Sequence, residues 1–131
     1  MNHITKATLD GVLSIYKRAW ETQDPDLILT IFTEDATYHE RVLEKPYVGH
    51  EQIRQYWKDK VVDSQSNISF NPLNSWIDGN TAIAEWEANF FDKAAGVQKY
   101  MREIAILEFR ENRICSLREY WSSKIVDGES A

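Results

Sequence analysis

Apolar positions recur at helical spacing through the amino-terminal part of the chain and at a period of two through the remainder. Leu9, Val12, Leu13, Tyr16, Ala19 and Trp20 fall three or four residues apart, which predicts an amphipathic helix from Thr5 to Thr22. Asp24-Pro25 then supplies a capping oxygen followed by a ring suited to the first helical position, so a short second helix is expected through Phe32. A third helix is expected after Gly49, with Ile53, Tyr56, Trp57 and Val61 on one face. Beyond it the pattern changes. The runs Ser66–Ile77, Thr81–Phe91, Gln98–Arg110 and Ile114–Ser123 are rich in β-formers and separated by turn residues, of which Asp78-Gly79-Asn80 is the strongest hairpin signal. Three helices followed by an antiparallel meander predict an α+β domain, with helices packed on one face of a curved sheet.

Neither face of the predicted strands is purely polar. In Thr81–Phe91, Ala84, Trp86, Ala88 and Phe90 alternate with Ile83, Glu85, Glu87 and Asn89. In the last strand, Leu117, Glu119 and Trp121 share one side, and Arg118 and Tyr120 the other. A sheet covered by helices on one side and by a second subunit on the other accounts for this pattern. Which face carries Glu85 and Glu87 stays open, because one bulge would exchange the two.

Composition narrows the function classes. With 131 residues, 43% of them hydrophobic, the chain is one domain with a real core. A formal charge of -6 excludes nucleic acid as the partner, since binding phosphates needs a basic surface. The five Trp then read as packing and pocket lining rather than base-stacking platforms. Cys115 reads as a small buried hydrophobe, and the sequon Asn67-Ile68-Ser69 as a chance match. No apolar run reaches transmembrane length, and the stretch from Met1 to Lys6 is not a signal peptide, so a cytoplasmic protein is expected.

Two joints carry further information: Phe32-Thr33-Glu34-Asp35-Ala36-Thr37-Tyr38, and Gly49-His50-Glu51-Gln52-Ile53. With the element order, they make the chain resemble the nuclear transport factor 2-like superfamily, and within it the SnoaL-like domains related to ketosteroid isomerase. The resemblance runs from about Thr8 to Ser123. It implies a cone-shaped domain with a pocket between helices and sheet, dimeric through the outer sheet face. Members include isomerases, cyclases, dehydratases, epoxide hydrolases and non-enzymatic binding domains, so the fold alone implies no reaction. Laid against ketosteroid isomerase, Tyr16 falls at the oxyanion-hole tyrosine and Glu40 at the catalytic aspartate. Trp121 resembles an aromatic residue lining that enzyme's pocket. The second oxyanion-hole acid should fall near Ala105 or Leu107, neither of which can donate a hydrogen bond.

Glu40 is therefore the leading candidate for proton transfer, against the plainer reading of a glutamate ion-paired with Arg41 or Lys45. Tyr16 is a candidate donor or a core tyrosine with its hydroxyl satisfied. Tyr38 should face the same side as Glu40 and line the pocket, while His39 faces away and His50 bonds within the first turn of its helix. Glu103 and Glu119 sit mid-strand between apolar neighbours. Cross-strand pairing with Arg102 or Arg118 is the preferred explanation; the alternatives are a polar patch for a ligand or a replacement for the missing acid. The three histidines lack ligand spacing and no phosphate loop is present, so no metal and no cofactor are expected. The expected pocket is lined by Trp20, Tyr38, Trp57, Leu117 and Trp121 and takes a small, largely apolar molecule. As an enzyme it would run cofactor-free isomerisation, cyclisation or dehydration. The rivals are a ligand-binding domain without turnover and an interaction module whose dimer surface lies around Trp86 and Phe90.

Overall fold

The computed structural model describes residues 3–126. Met1 and Asn2 of the amino-terminal stretch, and residues 127–131, lie outside the described part. Helix α1 spans Lys6–Glu21, capped by the Thr5 side chain, which accepts the Thr8 backbone N–H at 3.1 Å. All six residues of its apolar stripe are buried. The capping signal at Asp24 also operates, since its Oδ1 accepts the N–H groups of Asp26 and Leu27, each at 3.0 Å. The chain there makes a short turn and a single 3₁₀ turn, Ile28–Ile31, rather than a second α-helix. The reason is local. Ile28, Thr30, Ile31 and Thr33 are β-branched and disfavour continued helix, while a three-residue turn aligns Ile28 and Ile31 for burial together.

Strand β1 (Phe32–His39) leads to the short β2 (Tyr47–Val48) and helix α2 (Gly49–Trp57). Gly49 adopts φ +82°, a left-handed conformation that suits glycine where the strand turns into the helix. Helix α2 runs on into one π-helical turn, Lys58–Val62, which keeps Val61 on the buried face with Ile53 and Trp57. Four long strands complete the chain: β3 (Gln65–Asp78), β4 (Thr81–Asp92), β5 (Val97–Arg110) and β6 (Arg113–Val126).

The six strands form one sheet in the order β2-β1-β6-β5-β4-β3, antiparallel throughout except for the parallel pair β1–β6. Register shifts interrupt β3 twice and β6 once. Such bulges bend a sheet, and here they curl it around the helices into the cone. Helix α1 is held to β3 by a two-way clamp. Lys17 Nζ donates to the Phe70 carbonyl at 2.7 Å, and the Phe70 N–H donates to Glu21 Oε2 at 2.9 Å. Small side chains at Ala82, Ala84, Ala88 and Ala105, all fully buried, leave room on the inner sheet face for α1 and for the Trp86 indole.

The register assigns the two faces. Trp86 and Phe90 lie on the inner, buried face, so an outer dimer surface cannot be built around them. Glu85 and Glu87 lie on the outer face, where Arg102 pairs with both. Trp76 pairs across strands with Ile83 on that same outer face, and both remain substantially exposed.

Candidate functional site

The concave side of the sheet, α1 and the α2 segment enclose a cavity of about 250 Å³. Its walls are aromatic: Trp20 from α1, Tyr56 and Trp57 from α2, Phe90 from β4 and Trp121 from β6. Tyr16 and Tyr38 project into it from α1 and β1, and their hydroxyls share a 3.0 Å hydrogen bond. The Tyr16 ring is fixed by packing, with ring centroids of Trp57 at 5.8 Å, Phe70 at 5.6 Å and Trp86 at 4.9 Å. Burial raises both phenols well above their ordinary value of 10.0, reinforced by the negative charge of Glu119. They therefore stay protonated. One of their two hydroxyl hydrogens is used between them, and the other serves a further acceptor, for which the Glu119 carboxyl beside Tyr38 is one candidate.

Glu40 stands in the bend just after β1 and lines the cavity with its side chain only 11% exposed. Its Oε1 lies 3.5 Å from Arg41 Nε, so the ion-paired reading and the cavity reading hold together. Trp121 anchors the bend, donating its indole N–H to the Glu40 carbonyl at 3.2 Å, while the Arg41 guanidinium lies 5.2 Å over the Trp121 ring. Glu40, Arg41, Tyr56, Lys60 and Ser64 also border a wider outer depression of about 520 Å³, which makes this end the mouth of the cavity.

Glu103 and Glu119 lie on the inner face, 1% and 7% exposed, and both line the cavity. Glu103 sits in register with Trp86 on one side and Trp121 on the other, and Glu119 is opposite Ala105. The two acids are thus diagonal neighbours on adjacent strands, close enough for long side chains to meet. The expected arginine partners are absent from this face. Strand alternation sends Arg118 outward to Glu108 at 2.6 Å and Arg102 outward to Tyr100, Glu85 and Glu87. Both oxygens of Glu103 and Oε1 of Glu119 lack a hydrogen-bond partner, as do the buried indole nitrogens of Trp57 and Trp86. Burial, then the charge of Glu119, pushes Glu103 well above the ordinary 4.5. Burial also raises Glu119, with the Glu103 carboxyl and the Tyr38 hydroxyl beside it pulling the other way. Two acids in one dry site share a proton rather than both ionise.

Of the residues singled out from the sequence, Tyr16, Trp20, Tyr38, Glu40, Trp57, Glu103, Glu119 and Trp121 come together around this cavity. Leu117 does not: it is wholly buried in the core and forms no part of the lining. Tyr56 was missed as a lining residue, although it belongs to the same apolar helix face as Trp57; its ring lies 5.3 Å from Tyr38 and 4.6 Å from Tyr47. His39 Nε2 bonds the Glu44 carbonyl. His50 Nε2 reaches the Phe32 carbonyl at 3.0 Å, tying α2 back to β1 rather than bonding within its own first turn. Cys115 is half-buried and free. Among the described residues no three His, Cys, Asp or Glu side chains converge as a metal site, and no helix is long and apolar enough to cross a membrane.

Comparison with known proteins agrees with this architecture. The family model of the SnoaL-like domain matches residues 12–117, and the chain belongs to that family. No curated protein sequence matches it significantly. Among solved structures, a hypothetical protein of ketosteroid isomerase-like fold from Catenulispora acidiphila, in complex with trimethylamine, superposes with a TM-score of 0.75 at 22% identity, covering 85% of each chain. TsrD from Streptomyces laurentii gives a TM-score of 0.77 at 13% identity over 91% of each chain. SalBIII, an epoxide hydrolase/cyclase-like enzyme in pyran ring formation in the polyether salinomycin, gives 0.78 at 19% identity, covering 92% of this chain and 98% of its own. At these identities the likeness establishes the fold.

Proposed function

We propose that this SnoaL-like protein binds a small molecule in its aromatic cavity and acts on it by cofactor-free acid–base chemistry, as an isomerase, cyclase or dehydratase. The observation that carries the reading is the convergence of Glu40, the Tyr16–Tyr38 pair and two unpartnered buried acids in one chamber. Glu40, at the mouth, takes a proton from carbon. Charge then develops on the neighbouring substrate oxygen, which accepts a hydrogen bond from the Tyr16–Tyr38 pair in place of Glu119, and the proton returns to a different atom. General-base catalysis of this kind contributes about 10²–10⁴-fold, and the hydroxyl adds the electrostatic part. Glu103 and Glu119 form the polar floor that orients the ligand. A fold relative crystallised with trimethylamine supports a small-molecule occupant. The exposed Trp76–Ile83 strip supports dimerisation through the outer sheet face.

A binding domain without turnover is the second reading, favoured by the Glu40–Arg41 pair, in which the carboxylate is already engaged by a guanidinium. One assay separates the two without knowledge of the natural substrate. Nitrobenzisoxazole loses a carbon-bound proton to a base as its ring N–O bond breaks, releasing a coloured cyanonitrophenolate. The enzyme reading expects turnover about 10²-fold or more above acetate at the same pH, abolished by Glu40→Gln. Turnover no better than acetate, or unaffected by Glu40→Gln, defeats that reading and leaves the binding domain.

A further inference from the structure

Resting on the small-molecule reading above, we infer that the ligand of this cavity is a protonated amine, whose ammonium group seats on the Glu103–Glu119 floor against the surrounding indole and phenol rings. The argument is one of donors and acceptors. Two glutamate side chains present four oxygens, and a shared proton supplies one donor among them. Three of those oxygens are buried and have no hydrogen-bond partner. Such groups are costly to leave empty-handed, and the Trp86 indole beside Glu103 and the Tyr38 hydroxyl beside Glu119 bring one hydrogen each, fewer than four carboxyl oxygens can accept, so the site calls for further donors. A ketone, ether or carboxylate ligand brings acceptors only and would leave most of the floor unsatisfied. A neutral alcohol brings a single hydrogen. An ammonium brings up to three, together with a charge opposite to that of the floor.

The walls select the same chemistry. Among the described residues neither acid is ion-paired with a basic side chain, and both oxygens of Glu103 are without a hydrogen-bond partner. The cations on its lining are Arg41, Lys60 and Lys99, which are exposed or half-exposed. Arg41 is paired with Glu40 at 3.5 Å and Lys99 with Asp92 at 2.8 Å. The charge of the floor is thus left for the ligand to meet. Indole and phenol faces attract cations, and they do so most strongly when water is excluded. An inorganic cation finds no third carboxylate or imidazole arranged around it among the described residues. An organic ammonium fits both the acids and the rings, with its carbon skeleton directed toward Glu40 at the mouth.

Neohexylamine, protonated in neutral buffer, and neohexanol, its neutral counterpart of closely similar shape, test this by calorimetric titration into the wild-type protein. Charge-assisted bonding predicts that the amine binds about tenfold or more tightly than the alcohol. The double variant Glu103→Gln with Glu119→Gln, neutral and of equal size, is expected to bring the two affinities within about threefold of one another. Glu85→Gln on the outer face should leave the preference intact. Equal or tighter binding of the alcohol, absence of binding by the amine, or a preference that survives in the double variant overturns the inference. Nitrobenzisoxazole turnover is read on the same preparations. If it persists without an amine preference, only the ligand class falls; if it is absent as well, the acid–base reading falls with it.

Discussion

Replacing Glu103 and Glu119 together with glutamine should abolish a pH dependence that the wild-type fold carries. Both carboxyls are held above their ordinary value of 4.5, chiefly by burial. Above about pH 4.5 the folded pair therefore keeps protons that the unfolded chain releases. The stability linked to them is fully present below the unfolded value and is lost as pH rises toward and through the folded one. Each retained proton gives a slope of about 1.4 kcal/mol per pH unit. With about 2.1 cal/mol/K of unfolding entropy per residue, a chain of 131 residues converts this slope into about 5 °C in Tm per pH unit over which the proton is retained. Carboxylates shifted the other way, such as Glu21 by Lys17 and the Phe70 N–H, and Asp92 by Lys99, act only below about pH 4.5. They also cancel when the two proteins are compared. Urea unfolding followed by tryptophan fluorescence between about pH 5 and 8 reads the difference. The wild type should lose stability across that range and the double variant should not. Parallel curves would refute the assignment of a retained proton to this pair.

Tyr16→Phe removes the hydroxyl bonded to Tyr38 and should cost about 0.5–1.5 kcal/mol in urea unfolding; an unchanged midpoint would show that the pair contributes nothing. Gly49→Ala places an alanine at φ +82° and should cost about 1–2 kcal/mol by the same measurement, with no loss of cavity residues. Trp76→Glu puts a charge on the exposed outer strip beside Ile83 and should weaken the dimer about tenfold or more in sedimentation equilibrium; a wild type that sediments as a monomer would remove the dimer from the account.

The sequence disclosed the fold more fully than the chemistry. Strand boundaries were legible because Asp78-Gly79-Asn80 admits only a tight reversal, with Gly79 at φ +64°, and because alternation is strict in β4. The helical face of α1 was equally plain, since packing against the sheet requires its stripe. The segment after Asp24 carried a genuine cap, but a cap starts a turn and does not dictate its length. With Phe32 already committed to β1, only one 3₁₀ turn fits. The β1–β6 parallel pair left no local mark, because a long-range pairing has no turn to announce it.

The site depended on register, which periodicity alone leaves free. Alternation put Arg102 and Arg118 on the faces opposite their neighbouring acids, but not which face was buried, and so a cross-strand ion pair remained attractive. Once β5 and β6 are registered, the acids meet inside and the arginines find Glu108, Glu85 and Glu87 outside. The same uncertainty placed Trp86 and Phe90 on a dimer surface rather than in the core. Glu40 and Tyr16 were legible only through resemblance, and the structure puts both on one cavity while showing Glu103 and Glu119, not Ala105 or Leu107, as its inner acids.

The most direct test of the central claim is a crystal structure with cyanonitrophenol, the product of the nitrobenzisoxazole reaction, bound to the wild-type protein. The account predicts its ring inside the aromatic chamber between Trp57 and Trp121, with one edge toward Glu40 and the other toward the Tyr16–Tyr38 hydroxyls. A ring bound only in the outer depression or on the outer sheet face, with the chamber closed by its own side chains, would contradict it.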